Sequence, residues 1–337
     1  MIRSSFPGRH PATRPRRLRS AGWIRAITAE SRLIPADLIQ AMILREDDAE
    51  AGPVPAMPGI RRHSVDEAVE AARRARDLGL PALALFPHTS QEQRDAGASA
   101  AFDPDNLMAR AARAIKAAVP GIGLIGDVAL DPYTDHGHDG VLAGGEILND
   151  ETVPLLCRQA LVLAEAGFDV LAPSDMMDGR VGAIRGALDA EGFTDRMILS
   201  YAVKYASRFY GPYRDAIGSR GVLQGDKRTY QMDPANAEEG LREVALDLAE
   251  GADMVMVKPG LPYLDMVTRV KQAFGVPTVA FQVSGEYAML AQAAEAGAFD
   301  FQAAGLEALA CFRRAGADAV ISYYADRAAQ WLAEERR

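Results

Sequence analysis

The 337-residue sequence has little cysteine, little lysine and no long apolar run. Its two cysteines, Cys157 and Cys311, each sit in an apolar, helix-like stretch, which argues against a disulfide framework and against a thiolate metal site. No apolar run approaches ~18 residues, so no membrane span is expected. The N-terminus carries arginines but lacks the apolar core of a signal peptide. A net charge of −9 argues against nucleic acid as a main partner. What remains is a cytoplasmic enzyme, long enough to bury a sizeable core as one large barrel or two smaller domains.

The scarcity of lysine gives its positions weight. Arginine carries nearly all the positive charge, and lysine occurs only as Lys116, Lys204, Lys227, Lys258 and Lys271. Two of these end apolar runs. Met254-Val-Met-Val leads straight into Lys258 and a Pro-Gly turn, and Met197-Ile-Leu-Ser-Tyr-Ala-Val leads into Lys204. Short apolar runs bounded by turn residues are expected as strands buried on both faces. A lysine at such an end either snorkels outward or loses hydration, and in the second case its pKa falls and a neutral amine becomes available. Arginine cannot form an imine. Two lysines ending two buried strands therefore suggest carbonyl chemistry, each amine depressing the pKa of the other.

Apolar runs ending at Leu44, Phe86, Leu130, Ser174, Lys204, Lys258, Ser284 and Tyr324 alternate with helical patterns. Ser64-Val-Asp-Glu is a capping box for a helix stopping near Gly79. Further helices are expected over Asp103–Ala118, Glu151–Ala166, Ala235–Glu250, Tyr263–Phe274, Gly285–Ala296 and Asp300–Ala315. The alternation predicts an α/β fold, a (β/α)8 barrel. A doubly wound sheet is second, since no Gly-x-Gly-x-x-Gly follows an early strand. Residues 1–36 are expected as an arm and 37–337 as the catalytic barrel. Met1–Arg19 mixes Arg and Pro without periodicity, as either a disordered tail or an arm lying on an acidic neighbouring subunit.

Catalysis in a barrel sits at the C-terminal strand ends. There the sequence offers Asp127, Ser174, Asp175, both lysines, Gln282, Ser284, Glu286, Ser322, Tyr323 and Tyr324. The connection from Lys204 to the helix at Ala235 is long, Gly-punctuated and basic, with Arg208, Arg214, Lys227 and Arg228. It is a candidate lid holding an anionic group such as a carboxylate, or a solvated face. Asp127–Gly140 holds two histidines and four aspartates. No cysteine accompanies His136 and His138, while Asp131 and Asp139 suit Mg²⁺ better than Zn²⁺, and a hydrogen-bonded loop without metal fits equally.

Four segments together resemble the porphobilinogen synthase (5-aminolevulinate dehydratase) family: Met256-Val-Lys-Pro-Gly-Leu-Pro-Tyr-Leu-Asp265, Ser207-Arg-Phe-Tyr-Gly-Pro-Tyr-Arg-Asp-Ala216, Ala172-Pro-Ser-Asp-Met-Met-Asp-Gly-Arg180 and Tyr133 to Gly140. The likeness covers nearly the whole chain beyond the arm. It implies a barrel whose arm embraces a neighbour in a homo-octamer or homo-hexamer. It implies condensation of two 5-aminolevulinate molecules to porphobilinogen with loss of two waters, without an organic cofactor. By that likeness Lys258 forms the imine with the substrate that becomes the propionate side and Lys204 with the one that becomes the acetate side. Asp127 is placed for proton transfer. Ser174 and Asp175 resemble the residues that hold an amino group. Arg214, Lys227 and Gln231 resemble a clamp for one carboxylate, and Ser284 and Tyr323 the hydroxyl pair for the other. Zinc-using members carry three cysteines where this chain has Ala129, Asp131 and Asp139, so catalytic zinc is not expected. Glu243 stands where magnesium-responsive members bind an allosteric ion, and could equally be a solvated helix residue. A class I aldolase and a non-catalytic scaffold are the competing functions. The first generally needs one imine lysine and often a phosphate site; the second would not need both lysines, Asp127 and the basic connection.

Overall fold

In the computed structural model, residues 8–47, 52–218 and 221–334 are described. Residues 1–7 of the expected arm and 219–220 of the long connection lie outside them. The chain divides into two compact units, Met1–Arg32 and Leu33–Arg337. The first holds a 3-10 turn, Pro15–Arg19, and a short helix α1, Gly22–Thr28. The 3-10 turn thus gives local order within Met1–Arg19, where the sequence showed no periodicity. None of the described residues of this unit is fully buried: Trp23 and Ile27, one helical turn apart, are 68% and 69% exposed.

In the second unit the strands are β1 (Leu38–Leu44), β2 (Ala82–Pro87), β3 (Gly123–Val128), β4 (Val170–Pro173), β5 (Met197–Lys204), β6 (Met254–Lys258), β7 (Thr278–Phe281) and β8 (Ala319–Ser322). Each pairs in parallel with its sequence neighbour, and β8 closes on β1 through Leu38↔Val320. The expected (β/α)8 barrel is what forms. Val255, Met256 and Val257 are fully buried, as a strand covered by helices outside and packed side chains inside requires. A two-residue strand, Arg62–His63, adds to β1, and a hairpin, Val141–Ala143 with Glu146–Leu148, stands apart.

The helices are α2 (Val65–Asp77), α3 (Leu107–Ala118), α4 (Asn149–Ala166), α5 (Arg180–Ala190), α6 (Gly211–Ala216), α7 (Glu238–Ala249), α8 (Leu264–Phe274), α9 (Ser284–Glu295), α10 (Phe301–Ala315) and α11 (Ala325–Glu334). The Ser64–Glu67 capping box is present. The helix expected from Asp103 starts later, because the Asn106 side chain caps it by accepting from Ala109 N. Strand ends expected at Leu130, Ser174, Ser284 and Tyr324 fall at Val128, Pro173, Phe281 and Ser322; Asp127 and Ser322 stay within their strands, and Ser284 opens α9. Helices α1, α5, α6 and α11 were not anticipated. In α5, Gly182 and Gly186 dilute a buried stripe of Val181, Ile184 and Leu188.

One irregularity positions the chemistry. Strands β5 and β6 start in register at Leu199↔Met254 and Ser200↔Val255, then shift to Val203↔Val257 and Lys204↔Lys258. One extra residue in β5 makes the shift. Side chains alternate along a strand, so a one-residue slip exchanges its two faces. The bulge thus sets Lys204 level with Lys258 instead of Val203.

Candidate active site

The two paired lysines end in different surroundings. Lys258 Nζ lies over four aromatic rings: 4.7 Å from the centroid of Phe281, 4.8 Å from Tyr201, and 5.5 Å from both Tyr210 and Tyr213. Burial, and then the charge of Lys204, lower its pKa to about 7, against the opposing pull of Asp127. Lys204 is equally buried and stands 6.0 Å from the Tyr201 ring centroid, but its hydrogen-bonding contacts are polar. It donates to the Ser174 carbonyl and stands 3.5 Å from Asp139 Oδ1.

Asp127, buried near the end of β3, feels the charge of both lysines. Burial raises its carboxyl to about 6, with Lys258 and Lys204 pulling the other way and the Ser174 side chain as a hydrogen-bonding neighbour. Its Oδ1 has no partner among the described residues. A carboxyl that titrates there, beside an amine that titrates near 7, can exchange protons with a reacting molecule.

Residues of the connection after β5 line a cavity beside the lysines. This small cavity of about 40 Å³ is lined by Asp131, Lys204, Tyr210, Tyr213, Arg214, Lys227, Gln231 and Lys258, among others. The structure thus brings together Arg214, Lys227 and Gln231 with both lysines. Lys227 Nζ bonds Asp139 Oδ2 at 2.6 Å and Asp131 Oδ2 at 3.0 Å. Burial works against its charge, but the two carboxylates prevail and raise its pKa. Burial likewise works to raise Asp139, while Lys204 and Lys227 bring it down to about 2. Tyr230 donates to Asp139 Oδ2 at 2.9 Å, and His138 Nδ1 meets the Tyr230 hydroxyl at 3.0 Å. The segment is therefore tethered to the loop after β3 at several points.

Other expected residues lie around this cavity without lining it. Ser284 and Tyr323 stand buried just beyond β7 and β8, and Ser284 Oγ donates to the Phe209 carbonyl at 3.5 Å. Asp175 is fully buried and faces Arg180, whose Nε is 3.7 Å away; burial raises its carboxyl to about 6 despite that charge. Arg180 pairs more closely with Asp247, at 3.1 Å. Glu243, on α7, lines a separate groove of about 1000 Å³ that shares Gln231 with the lysine cavity but contains neither lysine. Burial, opposed by Arg180, raises its pKa. Among the described residues no group of three or more His, Cys, Asp or Glu is arranged to hold a metal ion. Asp131 and Asp139 offer hard oxygen donors, and the Lys227 ammonium bridges them.

Sequence comparison fits this geometry. The delta-aminolevulinic acid dehydratase family profile matches residues 12–331. The chain belongs to that family. A dehydratase of that name from Bradyrhizobium diazoefficiens is 57% identical over 329 residues, covering 98% of this chain and 93% of the relative. One from Rhodobacter capsulatus is 50% identical over 322 residues, covering 96% and 97%. The crystal structure of the Toxoplasma gondii enzyme, in complex with its reaction product porphobilinogen, superposes with a TM-score of 0.94 at 49% identity, covering 98% of this chain and 93% of that one. Family membership displaces the aldolase and scaffold alternatives. The aromatic enclosure of Lys258 was not anticipated, because its rings come from β5, the connection after it and β7. No helix among the described residues is long and apolar enough to cross a membrane.

Proposed function

We propose that Lys258 and Lys204 carry the two imines of this family's reaction in this chain. The chain is a lyase that condenses two molecules of 5-aminolevulinate to porphobilinogen, releasing two waters, at an early step of tetrapyrrole synthesis. The observation that carries the assignment is the in-register pair of lysine side chains at neighbouring strand ends beside one cavity.

Each neutral amine adds to a substrate ketone and expels water, leaving an imine whose carbon draws electrons from the adjacent carbon. A proton then leaves that carbon, and the enamine attacks the second substrate. The lysine amines are released as the ring closes, so the net loss is two waters. Lys258, near neutrality in its aromatic enclosure, holds the propionate-side substrate and Lys204 the acetate-side one. Asp127 moves the proton. Arg214, Lys227 and Gln231 bind one carboxylate, Ser284 and Tyr323 the other, and Ser174 with Asp175 the amino group.

A cavity of about 40 Å³ admits only a few waters. Substrate entry therefore requires the connection after β5 to lift as a lid, and a substrate carboxylate then competes with Asp131 and Asp139 for Lys227. In this arrangement the ammonium of Lys227 supplies the positive charge at these two acids, and the chemistry needs no catalytic zinc. Mg²⁺ at Glu243 is at most an activator from outside the cavity. The arm, basic and with Trp23 and Ile27 exposed, suits contact with the acidic barrel of another copy in a cytoplasmic homo-octamer or homo-hexamer. A pyrrole assay with 5-aminolevulinate, with and without a zinc chelator, tests the function. Absence of pyrrole in both arms would overturn it, and sedimentation gives the oligomer.

A further inference from the structure

A glutamate in the first turn of a helix commonly reaches back to the N–H at the helix start. Glu286 of α9 does so: its Oε2 accepts from Val283 N at 2.8 Å. A capping glutamate on the surface gives its other acceptor positions to water. Glu286 is 0% exposed, and its positions go to another strand's exit. Oε2 also accepts from Gly260 N at 3.1 Å, and Oε1 from Leu261 N at 2.6 Å. Both N–H groups belong to the turn that begins right after Lys258. One buried carboxylate therefore ties the exit of β6 to the exit of β7.

The packing around it leaves little room for adjustment. A Cβ added at Gly260 would collide with Phe312 and the Phe281 carbonyl, and one at Gly285 with the Phe209 carbonyl. The beginning of the connection after β5 is thus wedged on the same point. Ser284 Oγ and the Tyr210 hydroxyl add bonds to the Phe209 and Lys258 carbonyls, at 3.5 Å and 3.2 Å. Burial pushes the Glu286 carboxyl up to about 7, the three backbone bonds opposing it. A cap alone does not require complete burial or donors from a second strand.

We propose that Glu286 is a positioning residue: by gripping the Gly260–Leu261 turn and the Val283–Ser284 segment together, it fixes where the Lys258 amine stands relative to the Ser284 hydroxyl. The proposal rests on the assignment of Lys258 as an imine lysine. Glu286 touches neither lysine, and its bonds across strands go to the turn after Lys258, so its effect is expected at that lysine first. A misplacement of about 1 Å at a reacting group costs up to roughly a hundredfold in rate.

The test uses borohydride trapping of the full-length enzyme with 5-aminolevulinate, with adducts on Lys258 and Lys204 quantified separately by peptide mass. In Glu286→Gln, one amide NH₂ replaces an acceptor and faces N–H donors. Trapping at Lys258 is expected to slow about 10- to 100-fold, while trapping at Lys204 stays within about twofold of wild type. Glu286→Asp keeps the charge and the helix start but is one methylene short of the Gly260 turn, and the same selective slowing is expected. Equal slowing at both lysines in step with lost thermal stability, or wild-type trapping at Lys258 in both variants, would overturn the proposal. A wild-type enzyme that forms no adduct on Lys258 would instead overturn the lysine assignment, and this inference with it.

Discussion

Lys258 and Lys204 sit level with each other on adjacent strands, yet one faces four aromatic rings and the other faces a carbonyl and a carboxylate. The aromatic side withholds water, so the Lys258 cation is costly and the free amine is available near neutral pH. The polar side offers Lys204 an acceptor and a counter-charge. Two chemically identical residues are thus made unequal by what surrounds them. That inequality suits a reaction in which two identical substrate molecules must end in different halves of one product.

The comparison breaks most sharply at Lys258. Lys258→Arg keeps a cation but cannot form an imine, and kcat should fall by at least ~10⁴-fold. Retention of near-normal turnover would refute the mechanism. Asp127→Asn removes the carboxyl proposed to move the proton, with an expected loss of about 10²- to 10⁴-fold in kcat. If kcat in that variant matches wild type, the carboxyl has no part in proton transfer. The pH profile sharpens the contrast. The amine must be neutral to attack, so kcat/KM should rise with pH and level off above about 7, where Lys258 loses its proton. In Phe281→Gln the enclosure admits polarity, desolvation weakens, and the rising limb should move to higher pH. A limb that stays in place shows that the rings do not set the amine's pKa.

Smaller effects are expected away from the pair. Arg214→Ala should raise KM by about ten- to a hundredfold, the loss of one charge-assisted bond of ~1.5–3 kcal/mol. Unchanged kinetics would remove Arg214 from the carboxylate clamp. The smallest effect belongs to metal. Activity should survive a zinc-selective chelator, and any modest stimulation by Mg²⁺ should vanish in Glu243→Ala. Loss of all activity on chelation, restored by stoichiometric zinc, would contradict the role given to Lys227.

The barrel was legible because its strands are short apolar runs bounded by turns, and the two lysines stood out because lysine is rare here. The capping box at Ser64 was legible for a local reason, since all its atoms lie within one turn. What escaped was non-local or depended on a small offset. Lys227 meets Asp139 and Asp131 across 88 and 96 residues, so nothing in its own neighbourhood announces the contact. The bulge in β5 is a single residue, yet it decides which side chain faces Lys258. Helix α3 begins at Asn106 instead of Asp103 because both are good caps and tertiary packing selects between them.

The ammonium bridge between Asp131 and Asp139 also bears on how a cell holding this protein meets toxic metals. Soft cations such as mercury, cadmium and lead displace zinc where sulfur holds it, because polarisable thiolates bind them tightly. The cavity here has no sulfur in its lining, and the Lys227 ammonium stands against both acids. Pyrrole formation by this protein is therefore expected to persist when lead is added, and its loss at stoichiometric lead would count against the role proposed for the ammonium bridge.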